Sequence, residues 1–319
     1  MLGAAFEGHD VDLQQIASIV LGRATGLNAT LRGTASVEHD AELTPACVAD
    51  IDRLVALAPR VLWGTSRFDG HGVTGRLLVE VPRALRSAIR ALRTSFGGMN
   101  LTEVHQAVFA MGGAVDVDSL IRWARERISA VRAAPFQCPQ LAPLNDVAAT
   151  VDDALGVSWP EMLRGLRGGV LAVSDFSTSP PRWEGFALLD GGNLGKLAAM
   201  VSALPGQPFG TLTTDGKPVA LPLAAAGLPL PLTGHVALTD TRAAVALGSD
   251  SEAKSEQLLH TAASAAPPLL FFRFDLPRLQ ALLAAMSKPM EPQPFHYETL
   301  GAAIQTDEDG LRFDFNLTW

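Results

Sequence analysis

The sequence predicts an α+β protein in which helices pack on one face of antiparallel β-sheets. The first observation is composition: 48% of the 319 residues are hydrophobic and 18% are charged, which is enough apolar material for a large core. The second is a strand, turn, strand pattern that recurs along the chain, and the third is a helix pattern that follows several strands. We expect a helix-rich part at 1–145 and a repeat-built part at 146–319, either as two domains or packed as one unit.

Helices in the first part are predicted from apolar spacing and from capping residues. Thr44 is a good N-cap, and Pro45 is suited to the first helical position. Asp118 and Ser119 are predicted to cap a later helix. The predicted helices span residues 10–21, 44–58 and 118–134.

Cys47 and Cys138 are the only cysteines, and they are 91 residues apart. An isolated pair is typical of exported domains that hold one disulfide, so we predict that the two are bonded. The alternative is a pair of reduced, buried thiols. Without a CxxC motif, neither a redox motif nor a zinc site is indicated.

Hairpins are predicted wherever two apolar runs flank turn residues such as Asp-Gly or Pro-Pro. Repeated hairpins indicate an antiparallel sheet, in which each strand pairs with its neighbour in sequence. The paired runs are 61–64 with 76–81, 170–173 with 185–189, 236–238 with 243–247, and 301–304 with 311–319.

Helix patterns follow several of these strands in a shared register. Apolar residues recur at helical spacing after Val81, after Asp190 and after Asp275. Ser249 and Glu252 form a capping box that opens a further helix. We interpret these units as copies of one hairpin-helix module.

A family resemblance rests on the order of three motifs. These are the turn Thr239-Asp240-Thr241, then Leu247-Gly248-Ser249, and then the mainly apolar run 269–275. This order resembles repeated α+β modules of uncharacterised bacterial envelope proteins and lipoproteins, over residues 160–319. The resemblance implies an exported location and helices on an antiparallel sheet. It implies no catalytic or binding residues.

The net charge and the hydropathy of the sequence exclude some classes of binding partner. The net charge of -8 argues against nucleic acid, whose phosphates require clustered Lys and Arg. The sequence contains no stretch of about 20 apolar residues, so no membrane-spanning helix is predicted. Residues 1–10 lack the features of a signal peptide, so we expect either a cytoplasmic protein or an exported chain in mature form; the cysteine pair favours the periplasm or cell envelope.

Candidate site residues are few. Arg83, Arg86, Arg90 and Arg93 recur at helical spacing and could bind an anionic partner, although a solvated helix face has the same pattern. Ser251 and Lys254 match the spacing of a lysine-activated serine, but a surface helix start explains them better. The scattered histidines predict no metal site, and no cofactor motif is present.

These observations favour a non-enzymatic envelope protein that binds a partner protein or an apolar, lipid-like ligand. The expected binding space lies between sheet and helices and includes the apolar, Pro-rich segment 205–232. The alternative is a hydrolase whose site is assembled from distant residues, with His71 and Asp69 as its candidates.

Overall fold

The computed structural model describes residues 44–156, 164–178, 181–192, 194–203, 212–221, 223, 233–263, 267–286, 297–306, 308 and 310–319. The helix predicted at 10–21 and most of segment 205–232 lie outside the described residues.

Eight α-helices and eleven strands are formed by the described residues. The helices are α1 (Pro45–Val55), α2 (Arg83–Ala91), α3 (Thr102–His105), α4 (Val117–Ala133), α5 (Pro143–Gly156), α6 (Leu194–Ser202), α7 (Ser251–Leu259) and α8 (Leu276–Met286), with a short 3-10 turn at Gly98–Asn100. The strands are β1 (Arg60–Asp69), β2 (Gly72–Glu80), β3 (Phe109–Gly113), β4 (Leu166–Thr178), β5 (Pro181–Gly191), β6 (Val219–Ala220), β7 (Gly234–Leu238), β8 (Arg242–Leu247), β9 (Leu270–Asp275), β10 (Thr299–Thr306) and β11 (Gly310–Thr318).

All eleven strands belong to one antiparallel sheet, in the order β1-β2-β11-β10-β9-β3-β4-β5-β8-β7-β6. The α+β class is confirmed, but one sheet replaces the several that were predicted. Strands from the two predicted parts alternate, because β11 pairs with β2 and β3 lies between β9 and β4. The predicted boundary at residue 145 lies inside α5.

The four predicted hairpins are confirmed as β1–β2, β4–β5, β7–β8 and β10–β11. Strand β3 was not predicted, since it is short and ends in two glycines. Both glycines are required by close backbone approach. A Cβ on Gly112 would lie 2.6 Å from the Gly169 carbonyl oxygen, and one on Gly113 would contact the Leu269 carbonyl oxygen.

The prediction that the helices pack on one face is wrong. Adjacent residues of a strand point to opposite faces, while residues directly opposite each other on paired strands share a face. The pair Leu238 and Ala243 packs with Leu194 and Ala198 of α6. The neighbouring pair, Ala237 with Ala244, belongs to the other face, in one cluster with two leucines of α7, Leu258 and Leu259.

Each predicted order of strand then helix is present: β2 precedes α2, β5 precedes α6, β8 precedes α7 and β9 precedes α8. The helices α6 and α7 nevertheless lie on opposite faces. The structure therefore does not show that these units are repeats of one module.

Helix ends follow local hydrogen bonds. The Thr44 hydroxyl caps α1 by accepting from the Cys47 N–H at 3.2 Å, as predicted. Helix α4 begins earlier than predicted, because Asp116 is its cap and accepts from the Ser119 N–H at 2.7 Å.

Cys47 and Cys138 lie at disulfide-bonding distance, with Cα atoms 4.4 Å apart, in keeping with the predicted pairing. Beside them, the buried Asp50 carboxylate accepts from the backbone N–H groups of Gln137 and Cys138, at 2.6 and 2.8 Å. Arg53 lies over the Phe136 ring, 3.9 Å from its centroid. The disulfide and Asp50 together attach α1 to the loop between α4 and α5.

Replacing both cysteines by serine is expected to lower the free energy of unfolding by about 4–5 kcal/mol, because the bond closes a long loop in the unfolded chain. Urea unfolding with and without reductant measures this loss. Reductant should destabilise the natural chain to the level of the double variant and leave the double variant unchanged. Equal midpoints in all four samples would contradict the prediction.

Asp50→Ala is expected to cost about 1–3 kcal/mol, since two buried N–H groups lose their acceptor. The matched control is Asp153→Ala, which removes an exposed carboxylate from α5 and should change stability little. Urea unfolding of the two variants checks the difference. If they unfold at the same midpoint, Asp50 does not hold this loop.

Candidate functional site

One face of the sheet is apolar across its whole width. Cross-strand partners share a face, so the register defines a row that runs from Phe315 through Ala302, Phe272 and Met111 to Leu171. We call this the apolar face. Its members include Trp63, Leu77, Phe313, Phe315, Leu300, Ala302, Ile304, Leu270, Phe272, Phe274, Phe109, Met111, Leu171, Val173, Trp183, Ala187, Leu189, Val245 and Leu247. Among the described strands, its paired positions contain no charged residue.

Large side chains in the middle of this face are exposed. Met111 and Leu171 are directly opposite each other on neighbouring central strands and are 44% and 42% exposed. Leu189, on the next strand, is 38% exposed. Single exposed apolar residues are ordinary on protein surfaces, but a contiguous group in the centre of a sheet indicates an interaction surface.

A shallow depression of about 80 Å³ lies on this face. Its walls are almost wholly apolar and include Leu171, Trp183, Ala187, Val245 and Leu247. The indole N–H of Trp183 is buried and has no acceptor among the described residues. A buried donor without an acceptor costs free energy, so this N–H is an unsatisfied polar group of the fold.

Aromatic rings cover the neighbouring part of the apolar face. The rings of Phe109 and Phe274 are 5.3 Å apart, and those of Trp63 and Phe315 are 4.8 Å apart. Gly75 lies beneath Phe315, where any Cβ would collide with the ring. At the other end of the face, α6 covers β7 and β8. The open area therefore extends from the aromatic strands to β5.

Charged residues of the sheet lie on the opposite face. Arg242 pairs there with Asp190 at 3.0 Å and donates to the carbonyls of Leu259, at the end of α7, and Thr261, just beyond it. The core cluster on that face includes the buried side chains of Phe186 and Leu188. The sheet thus separates a packed, charge-bearing face from an open, apolar one.

The four arginines of the predicted basic stripe are not equally available. Arg86 donates to the Val81 carbonyl at 2.7 Å, and Arg90 donates to the Glu308 carbonyl at 2.9 Å. Arg83 is exposed at the start of the same helix, α2, and Arg93 is exposed just beyond its end. Two of the guanidinium groups therefore hold the chain's own backbone, which weakens the case for an anionic partner.

His71 and Asp69 lie in the exposed turn between β1 and β2. Asp69 accepts from Arg67 at 2.6 Å and from the backbone N–H of His71 at 2.8 Å. These hydrogen bonds hold the pKa of Asp69 below its ordinary value. The carboxylate stabilises the turn, and among the described residues no nucleophile is hydrogen-bonded to the His71 ring.

Ser251 and Lys254 are brought together with His235 and Glu103, which sequence spacing did not predict. The Ser251 hydroxyl is 2.9 Å from Nδ1 of His235. Ser251 is only 2% exposed, and no carboxylate of the described residues is hydrogen-bonded to His235. Lys254 donates to Glu103, and this bond lowers the pKa of Glu103. Lys254 is thus paired with Glu103 and not hydrogen-bonded to Ser251, and these two pairs fasten the start of α7.

Within the described ranges, no cluster of three or more His, Cys, Asp or Glu residues could hold a metal ion. Nor is any helix of the described chain long and apolar enough to span a membrane. Comparison with known proteins adds no relative, because no family model, curated protein or solved structure matches the chain.

Ser251 is expected to remain unlabelled by a fluorophosphonate probe, because its hydroxyl is buried and bonded to His235. Ser251→Ala should instead lower stability by about 1 kcal/mol, through loss of that bond. Intact-mass spectrometry after labelling and urea unfolding measure the two effects. A stoichiometric adduct that Ser251→Ala abolishes would show that the serine is reactive.

Proposed function

We propose that this protein is a non-enzymatic component of the bacterial cell envelope that binds a lipid-like molecule, with its acyl chain lying on the apolar face. The supporting observation is the uncharged row of side chains whose central members, Met111 and Leu171, are more than 40% exposed. Burying such a surface under an acyl chain is favourable by about 25 cal/mol per Å² of apolar area removed from water.

A lipid fits this face better than an extended protein segment does. An extended polypeptide laid on the depression would bring backbone N–H and C=O groups into contact with Leu171, Val245 and Leu247, which cannot form hydrogen bonds with them. An acyl chain has no such groups to desolvate.

The cysteine pair supports the envelope part of the proposal. Stable structural disulfides form in oxidising compartments, such as the periplasm, and are rare in the cytoplasm. The geometry of Cys47 and Cys138 fits such a bond. An envelope location would also give the protein access to lipids.

Leu171→Asp is expected to weaken binding of a fluorescent fatty acid by at least about tenfold, because a carboxylate at this position must be desolvated under the chain. The control is Val147→Asp on α5, which also replaces an exposed aliphatic residue but lies outside the sheet. Fluorescence titration measures affinity, and urea unfolding verifies that both variants are folded.

Equal affinity of the natural chain and Leu171→Asp would contradict the proposal, as would an absence of binding. Recovery of a stoichiometric protein partner, lost in Leu171→Asp, would favour the partner-protein alternative. Hydrolysis of a nitrophenyl ester that His71→Ala abolishes would favour the hydrolase alternative.

A further inference from the structure

A cleft of about 380 Å³ lies on the sheet's charged face. The 3-10 turn and α3 form one wall, and strands β9, β10 and β11 form its floor. We call it the Arg273 cleft, after the arginine of β9 that lines it. It lies on the face opposite the proposed lipid surface, because Arg273 is adjacent in sequence to Phe272 and Phe274 of the apolar face.

Arg273 has no ion-pair partner within the described chain. Its Nε atom is buried and without an acceptor. The residues directly opposite it on the two neighbouring strands are Ala110 and Gly301, neither of which has a polar side chain. Arg273 as a whole is only partly buried, and its guanidinium has no hydrogen-bond acceptor among the described residues, so its accessible nitrogens are free to donate to a bound anion.

The surroundings of the cleft leave an excess of positive charge. Asp314, the acidic residue in its lining, already accepts from Arg76 at 2.7 Å and from Arg312 at 2.9 Å. Two guanidinium groups thus neutralise this one carboxylate, and Arg273 adds a third positive charge. The charge balance favours an anionic occupant.

The walls combine apolar surface with amide groups. Met99 and Val104 are buried core residues whose surfaces contribute to the cleft, beside the Phe271 ring. The side-chain amides of Asn100 and Asn316 lie at its rim, where both residues are exposed. Such a cleft suits a small molecule with an apolar body and one anionic group.

We propose that the Arg273 cleft binds a small organic carboxylate, with the carboxylate held by the two terminal nitrogens of Arg273. The planar edge of a guanidinium matches the two oxygens of a carboxylate through parallel N–H···O bonds. The apolar body of the ligand then lies against Met99, Val104 and Phe271. This proposal does not depend on lipid binding, since it concerns other residues on the other face.

Gly301 allows a second test of the cleft, which is steric. A Cβ at this position would have no heavy atom nearer than the Phe272 carbonyl oxygen, at 3.6 Å, so the space beside Arg273 is open. A larger side chain can occupy that space without displacing the backbone. Gly301→Val therefore blocks the cleft while leaving Arg273 in the chain.

The probe is phenylacetate, with 2-phenylethanol and phenethylamine as neutral and cationic counterparts. Its binding is followed through the Nε–H resonance of Arg273, assigned by its loss in Arg273→Lys. We expect this resonance to shift with phenylacetate and not with the counterparts. Arg273→Lys and Gly301→Val should each weaken binding by about tenfold or more, by loss of the paired hydrogen bonds and of space respectively.

The matched control is Arg167→Met, which removes an exposed arginine from β4 and should leave phenylacetate binding unchanged. Arg273→Met should abolish binding without lowering the unfolding midpoint, because the replaced group has no partner to lose. If Arg273 had a structural role, its replacement would instead lower that midpoint.

The proposal is overturned if the Nε–H resonance of Arg273 does not shift at millimolar phenylacetate, or if Arg273→Met binds phenylacetate with full affinity. Tighter binding of phenyl phosphate than of phenylacetate overturns the assignment to carboxylates.

Discussion

The cross-strand register of the single sheet is the constraint on which the other features depend. Because side chains alternate along every strand, the pairing of eleven strands collects the apolar residues of widely separated segments on one face. A slip of one residue in β4 would move Leu171 to the packed side and Ala172 to the open side. The same register places Arg273 and Asp314 together on the charged face.

The two faces divide stability and binding between them. The tightly packed core that includes Phe186, Leu188 and Leu258 lies on the charged face, so its burial does not require the apolar face to be covered. The disulfide and Asp50 attach α1 to the loop between α4 and α5. This division leaves Met111 and Leu171 exposed without loss of the fold, and it allows their surface area to contribute to ligand binding.

The sequence was sufficient for elements whose signals are local. Asp-Gly turns and alternating apolar residues predicted the hairpins, and the Thr44 cap with Pro45 predicted α1. The sheet order could not be predicted, because β11 beside β2 is a contact between residues more than 200 positions apart. For the same reason the apolar face was missed, although each strand's own alternation was visible. Ser251 and His235 are only 16 positions apart, but a single histidine and a serine at a helix start have no spacing that indicates a contact between their side chains. Strand β3 lacked a signal because its glycines serve close packing.

The most direct test of acyl binding on the apolar face is a nuclear Overhauser experiment on methyl-labelled protein with a saturating fatty acid. We predict contacts from acyl protons to the methyl groups of Met111, Leu171 and Leu189, and none to Val170 or Leu188, which are buried on the charged face. Contacts confined to the buried-face methyls, or to neither set, would contradict the assignment of this face as the binding surface.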